Sequence, residues 1–380
     1  LSLSTSYTAP VITNNIFEDN TNYNLYVNGG AGLTVDAENN WWGTTNTLEI
    51  GNKIRDWSDS SSTAFVDFVP FLDGPGGSLV PGNFVQHIIT ESTTWAATNS
   101  PYIMVGDILV ETGKSLTIES GVEVRIDKGH RLEAEGDLIV AGTEGNEVVF
   151  TSNEASPAIG DWERIWIDQS STGSSISFAD IQYAQYGVYV YRTSLPITHS
   201  EITNNDYGVY LNGTTTFPSQ SVVNNNSIYS NQIYNLYTAG SQAGVVVDAR
   251  YNWWGTIDLN QIVASIYDTN DSGSLPLVNI MPILDGPDGD PLYADSLLNG
   301  SITSDRTLTL NNSPYFVIGD VAVVPGVTLT IEPGVEINFV GQFFFRIDGT
   351  LSAVGSAGNE IVFTSGKNSP ASSDWDYIWF

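Results

Sequence analysis

The sequence predicts an all-β chain wound as a parallel β-helix, a solenoid of tandem modules with short helical and loop insertions. Three observations predict it: a duplication at 212 residues, a finer step of 21 to 27 residues inside each copy, and Asn and Gly punctuation between short alternating apolar stretches. The duplication is explicit. Asn40-Trp41-Trp42-Gly43-Thr44 returns as Asn252-Trp253-Trp254-Gly255-Thr256, and Leu72-Asp73-Gly74-Pro75 as Leu284-Asp285-Gly286-Pro287. After a one-residue shift, Leu116-Thr117-Ile118-Glu119 matches Leu329-Thr330-Ile331-Glu332, and Trp162 with Trp166 match Trp375 with Trp379.

These matches divide the chain. Residues 1–44 read as the end of one module and 45–256 as a complete one, with an insertion at 45–98 and coils over 99–256. Residues 257–380 read as the start of a further, truncated module. Ile50 and Ile54, like Ile262 and Ile266, have the i, i+4 spacing of a short amphipathic helix lying against the stack. The stretches 57–98 and 269–311 read as polar loops with a few strands, because Pro70, Pro75 and Pro81 interrupt regular pairing. From Tyr102 to Ile167 the apolar alternation is broken by too many glycines for helices. Beyond it, Tyr186-Gly187-Val188-Tyr189 recurs as Tyr207-Gly208-Val209-Tyr210 and, loosely, as Tyr234-Asn235-Leu236-Tyr237. Strands repeated in this way stack at about 4.8 Å and align their tyrosines into ladders. The recurrent asparagines suit turns, since Asn tolerates left-handed dihedrals and can bond the next coil.

The chain's 380 residues carry 43 acidic against 12 basic side chains, a net charge of −31, yet 41% are hydrophobic. An acidic disordered tail lacks that apolar content, so the chain folds. The negative surface and scarcity of Lys and Arg argue against nucleic-acid binding and membrane insertion. Cysteine is absent, which excludes disulfides and thiolate metal sites. The opening residues have neither a basic nor an apolar leader region, and read as a mature product or a piece of something longer.

With its Asn-rich coils, the NWWGT signal, the following Ile50, Ile54 and Asp56 (Ile262, Ile266 and Asp268), and the later LTIExGVE, the chain resembles right-handed parallel β-helix repeat proteins of bacterial and archaeal cell surfaces. Their fold is distantly similar to that of pectate lyases. The resemblance implies a secreted or surface location and further copies of the same module. In the lyase relatives acidic residues hold calcium beside a polysaccharide and a basic residue, often Arg, removes a proton.

That chemistry calls for a basic residue beside a carboxylate cluster. Arg125, His130, Arg131 and Arg164 align with Asn338, Phe343, Phe344 and Tyr377 in the second copy, so the duplication keeps packing residues and discards ionisable ones. His199, with Arg192 and Glu201 close in sequence and Asp180 one coil away, is the best remaining catalytic constellation. Asp161 with Glu163 has the i, i+2 spacing that places two carboxylates on one strand face, as glycoside hydrolysis requires, and Asp374 with Asp376 repeats it. For calcium, Asp285, Asp288 and Asp290 offer three carboxylates in a tight turn, with Asp268 and Asp271 as a second set. Of each Trp pair one ring faces inward and the other outward, and Trp42 and Trp254 are the candidates for stacking on sugars. Four N-x-S/T sequons stand at Asn212, Asn225, Asn299 and Asn311. The expectation is an extracellular structural repeat protein (stalk, surface layer, sheath, filament or adhesin) that self-associates, contacts cell-surface glycans and performs no catalysis. The alternative is a polysaccharide-binding or polysaccharide-degrading β-helix protein.

Overall fold

A computed structural model describes residues 10–366 and 370–380; the first nine residues, on which part of the leader reading rests, lie outside them. The chain is a parallel β-solenoid of about 12 turns with very little helix. It divides into two compact units, residues 1–255 with 261–280, and residues 256–260 with 281–380.

In the first unit the coils from Thr93 onward stack their strands into three faces. Face A stacks Leu132–Ala134, Trp162–Ile167, Ala184–Tyr191, Tyr207–Thr214, Tyr234–Ser241 and Ile266–Tyr267. Face B runs from Thr93–Trp95 to Leu277–Asn279, and face C from Glu123–Ile126 to Ser227–Tyr229. Faces A and C join through Tyr102–Val110, a strand long enough to bend around a corner. Its Tyr102 pairs with Val124 on face C and its Ile108 with Leu132 on face A. All these pairings are parallel, so inward side chains align from coil to coil. On face B, Ile118, Val140, Ile176, Ile197 and Val223 form one such column, all buried. Burying each contributes roughly 1.5–3 kcal/mol relative to exposure.

Two corners explain the asparagines. Between faces B and C, Phe178, His199, Asn225 and Tyr251 all adopt left-handed φ values of 49° to 58°. The residue after each joins a hydrogen-bond ladder: Ser200 Oγ accepts from Ala179 N, Asn226 Oδ1 from Ser200 N, and Asn252 Oδ1 from Asn226 N, at 2.8 to 3.1 Å. Between faces C and A, Tyr183, Asn204 and Ser230 are left-handed and precede a second ladder, in which Asn205 Oδ1 accepts from Ala184 N and Asn231 Oδ1 from Asn205 N. Buried ladder amides thus satisfy backbone groups that the corner takes out of sheet pairing.

The expected helices form at α1, Thr47–Gly51, and α2, Leu259–Ala264. Asn46 caps α1 through Oδ1, which accepts from Glu49 N at 3.2 Å. Ile50 and Ile262 are buried, while Ile54 and Ile266 have passed into the following strands. The reading of 45–98 as an insertion is corrected: rungs run through it. Ile54–Arg55 stacks on Leu25–Tyr26, Phe65–Asp67 on Thr34–Asp36, and Asn83–Ile89 on Tyr102–Val110. The first two of these rungs, of two and three residues, are too short to show an alternation.

The second unit repeats the bent strand. Tyr315 in Tyr315–Val323 pairs with Ile337, and Val321 with Phe345, around its own core of Leu329, Val335, Phe339 and neighbours.

Candidate functional site

Within the first unit, residues of the Thr47–Asp67 segment and face A enclose a cleft of about 440 Å³. Its floor is charged. Asp107, next to the Gly106 bend of the corner strand, is 2% exposed. His130 Nδ1 lies 3.2 Å from Asp107 Oδ1, and Arg131 N donates to the same oxygen at 3.1 Å. The Arg131 guanidinium reaches Asp107 Oδ2 at 3.0 Å, Glu133 at 3.2 Å and Glu163 at 3.6 Å, and sits 5.0 Å over the Trp57 ring. Asp56 forms the opposite wall. Its carboxylate accepts from Ser58 N at 2.9 Å and Val66 N at 2.8 Å, which shapes the loop that carries it. Nearby, Thr47 Oγ1 at the start of α1 donates to Asp127, which also accepts from Asn153 Nδ2.

Burial dominates the electrostatics. It pushes the Asp56 carboxyl up to about 6, against two backbone amides that pull down, with Asp59 and Asp107 adding to the rise. Burial also raises Glu133 despite Arg131. For His130 burial works downward, but the hydrogen bond and charge of Asp107, helped by Asp127 and Asp56, hold the imidazole above its ordinary value. Chemically this is a neutralising network: the guanidinium is engaged by three carboxylates, and the imidazole by one. The sequence did contain the signal, since His130, Arg131 and Arg164 are the ionisable residues that the second copy replaces with Phe343, Phe344 and Tyr377. Read as dispensable, they converge on or beside one cleft.

The residues singled out in the sequence are mostly placed elsewhere. His199 is a corner residue, exposed and stacked on Phe178 at 4.8 Å, whereas Arg192 occupies a different corner after face A and lies 4.8 Å over Tyr191. The structure does not bring them together as a catalytic pair. Asp180 accepts from Gln182 and Glu201 from Tyr229. Asp161 and Glu163 do not share a groove either. Asp161 is buried and staples the preceding turn, accepting from Ser152 Oγ and Ala158 N at 2.8 Å, and Asp374 does the same with Ser365 and Ala371. Glu163 alone of the four reaches the cleft.

Trp42 and Trp254 are corrected as stacking candidates: they are 2% and 3% exposed. Trp42 turns inward against Phe17 at 4.7 Å, while Trp41 and Trp253, in backbone bridges with the preceding coil, are the half-exposed members of each pair. In the second unit Asp285 Oδ1 accepts from Asp290 N at 2.8 Å, as Asp73 does from Ser78 N in the first copy. Asp288 adopts φ 50° in that turn. Asp268 accepts from Asn270 N and Val278 N, and Asp271 from Asp268 N.

Face A carries a second feature. Tyr189, Tyr210, Tyr237 and Tyr267 stack at 4.7 to 4.9 Å, and beside them Tyr186, Tyr207 and Tyr234 at 5.1 and 6.4 Å. Arg164 closes the near end, 5.1 Å from both Tyr186 and Tyr189. The rings are partly exposed.

Residues 87–190 match the family model of a pectate-lyase-like β-helix domain. That stretch holds the first continuous coils and most of the charged cleft. The chain is also similar to protein bark beetle of Drosophila melanogaster, with 32% identity over 164 residues, which is 39% of this chain and 5% of that protein. The chain therefore corresponds to a small part of that relative's length. No solved structure matches it. Among the described residues no helix is long and apolar enough to cross a membrane.

Proposed function

We propose that the chain is part of an extracellular structural repeat protein, a stalk, layer, sheath, filament or adhesin component, that works without catalysis and lengthens by adding modules. One observation carries this reading: the two copies share rung and turn residues such as Asp161 and Asp374, while the cleft's His130 and Arg131 are Phe343 and Phe344 in the second. A rod whose coils cover each other's edges can be extended without a new core. Further copies of the module and self-association belong to the same proposal. Recombinant proteins with two, three and four modules are expected to grow linearly in length by electron microscopy. They should turn over no member of a panel of plant and algal polysaccharides, with or without calcium. Turnover abolished by Arg131→Met or His199→Ala would overturn the reading.

A second reading, glycan binding, is favoured by the tyrosine ladder, whose rung spacing presents ring edges and hydroxyls in a regular row. Retention on a glycan array that Tyr210→Ala and Tyr237→Ala remove would establish it. Calcium at the Asp285 turn is a separate proposal, resting on the three carboxylates there. A thermal midpoint unchanged by EDTA would remove it.

A further inference from the structure

We propose that the cleft of the first unit binds a small, polar organic cation, a primary ammonium ion, seated against the Asp56 carboxylate. Such a site is separate from the tyrosine ladder and compatible with a structural rod.

The cations of the cleft floor are not there to turn the chain. Asp107 Oδ1 accepts from Arg131 N at 3.1 Å, and in the second unit Asp320 Oδ1 accepts from Phe344 N at 3.2 Å. That corner keeps its carboxylate and its backbone bond with Phe343 and Phe344 in place of His130 and Arg131. In the first unit the two charged side chains instead line a cavity of about 440 Å³, within the size range of small-molecule sites. Exposed residues form its rim: Tyr23, Asn52, Asp59 and Lys128. Asp56 and Asp107 lie deeper, 7% and 2% exposed.

Charge selects the ligand. The Arg131 guanidinium is shared by Asp107, Glu133 and Glu163, His130 is held by Asp107, and Lys128 is drawn to Asp161 at 3.7 Å. Among the described residues no cation pairs with Asp56. Its two oxygens accept one backbone amide each, from Ser58 and Val66, so each keeps a lone pair for a further donor. Asp107 Oδ2 faces the Arg131 guanidinium at 3.0 Å without an aligned hydrogen bond among the described residues. A buried carboxylate that lacks a counter-ion is costly to ionise. Burial, with Asp59 and Asp107 adding to it, accordingly holds the Asp56 carboxyl up at about 6. An ammonium group supplies the missing charge and up to three donors. An anion would meet an unpaired acid on a chain of net charge −31, and a neutral polyol would leave Asp56 uncompensated. Ser58, Asn52 and Gln86 offer polar partners to the rest of the ligand, and Ile54 and Phe68 an apolar wall.

Two probes distinguish the sources of such a group: glucosamine for an amino sugar, and Nα-acetyl-lysinamide for a protein side chain. Calorimetric titration of the whole chain at about pH 8, where Asp56 is ionised, should show at least one of them binding about tenfold or more tighter than glucose or glucuronate. In nuclear magnetic resonance spectra the His130 ring signals should shift with the bound ammonium, and those of His199 should not. Asp56→Asn keeps one oxygen for the loop amides and should weaken binding about tenfold or more. Glu144→Gln, which removes an exposed charge from the turn between faces B and C, should leave it unchanged. Equal affinity for glucose or glucuronate, no binding of either ammonium compound, or unmoved His130 signals would overturn the site. So would a folded Asp56→Asn chain with undiminished affinity, or an equal loss in Glu144→Gln. If Asp56→Asn does not fold, the ligand series and the His130 signals decide.

Discussion

At the scale of single residues, asparagine does most of the work that side chains do at a corner. Asn226 Nδ2 donates to Ile197 O and Asn224 O while its Oδ1 accepts from Ser200 N, all in a buried setting. Asn226→Ala leaves those groups without partners, and urea denaturation should show a loss of roughly 3 kcal/mol. His199 is different in kind. Its φ of 51° is a conformation in which Asn is at home, so His199→Asn should change stability by no more than about 0.5 kcal/mol in the same measurement. The asparagine pairs were readable from sequence because they recur in phase. The role of His199 was not, since the left-handed position is set by the coils on either side of it and leaves no mark on Thr198 or Ser200. The same holds for Trp42 and Trp254: alternation says that adjacent rings point apart, but which one enters the core depends on the register of the coil below.

At the scale of elements, the face-A ladder was legible as a 21-residue repetition of tyrosines, and the structure adds Tyr267 as its last rung. Tyr210 is sandwiched between Tyr189 and Tyr237, so Tyr210→Ala should cost about 1–3 kcal/mol by denaturation. Burial first, and neighbouring tyrosines second, hold the hydroxyls of Tyr207, Tyr210 and Tyr237 above the ordinary phenol value. An ultraviolet titration should accordingly show these rings ionising later than the tyrosines of the urea-unfolded chain. A single transition at the unfolded position would contradict the stacking. The short rungs at 54–55 and 65–67 were not legible, because two or three residues contain no periodicity and the prolines around them read as loop.

At the scale of the whole molecule, acidity and duplication were plain in the sequence, but the gathering of His130 and Arg131, which the second copy replaces, with Asp56, Asp107 and Glu163 in one cleft required three-dimensional proximity. Those charges make stability depend on pH. Asp56, Asp67, Glu133 and Asp180 are all raised by burial and His130 by its carboxylate neighbours, so the folded chain binds more protons than the unfolded one. Asp248, lowered by Arg250, runs the other way but lies near the surface. Stability should be greatest in mildly acid solution and fall as pH rises from the ordinary carboxylate range through about 6 and beyond, where the net charge of −31 adds self-repulsion. Thermal unfolding at about pH 5.5 and about pH 8 checks the direction, and added salt should narrow the gap.

The corner ladders also bear on how such a gene can change length. Asn226 and Asn252 each follow a residue with left-handed φ, accept from a backbone amide of the coil before, and donate to one carbonyl of that coil and one of their own: Ile197 and Asn224 for Asn226, Val223 and Ala249 for Asn252. A deletion or unequal crossover joining one to the other removes one coil and leaves equivalent surroundings on both sides of the join. Recombination in units of a coil is then structurally silent, whereas a cut a few residues out of phase exposes a column of the core.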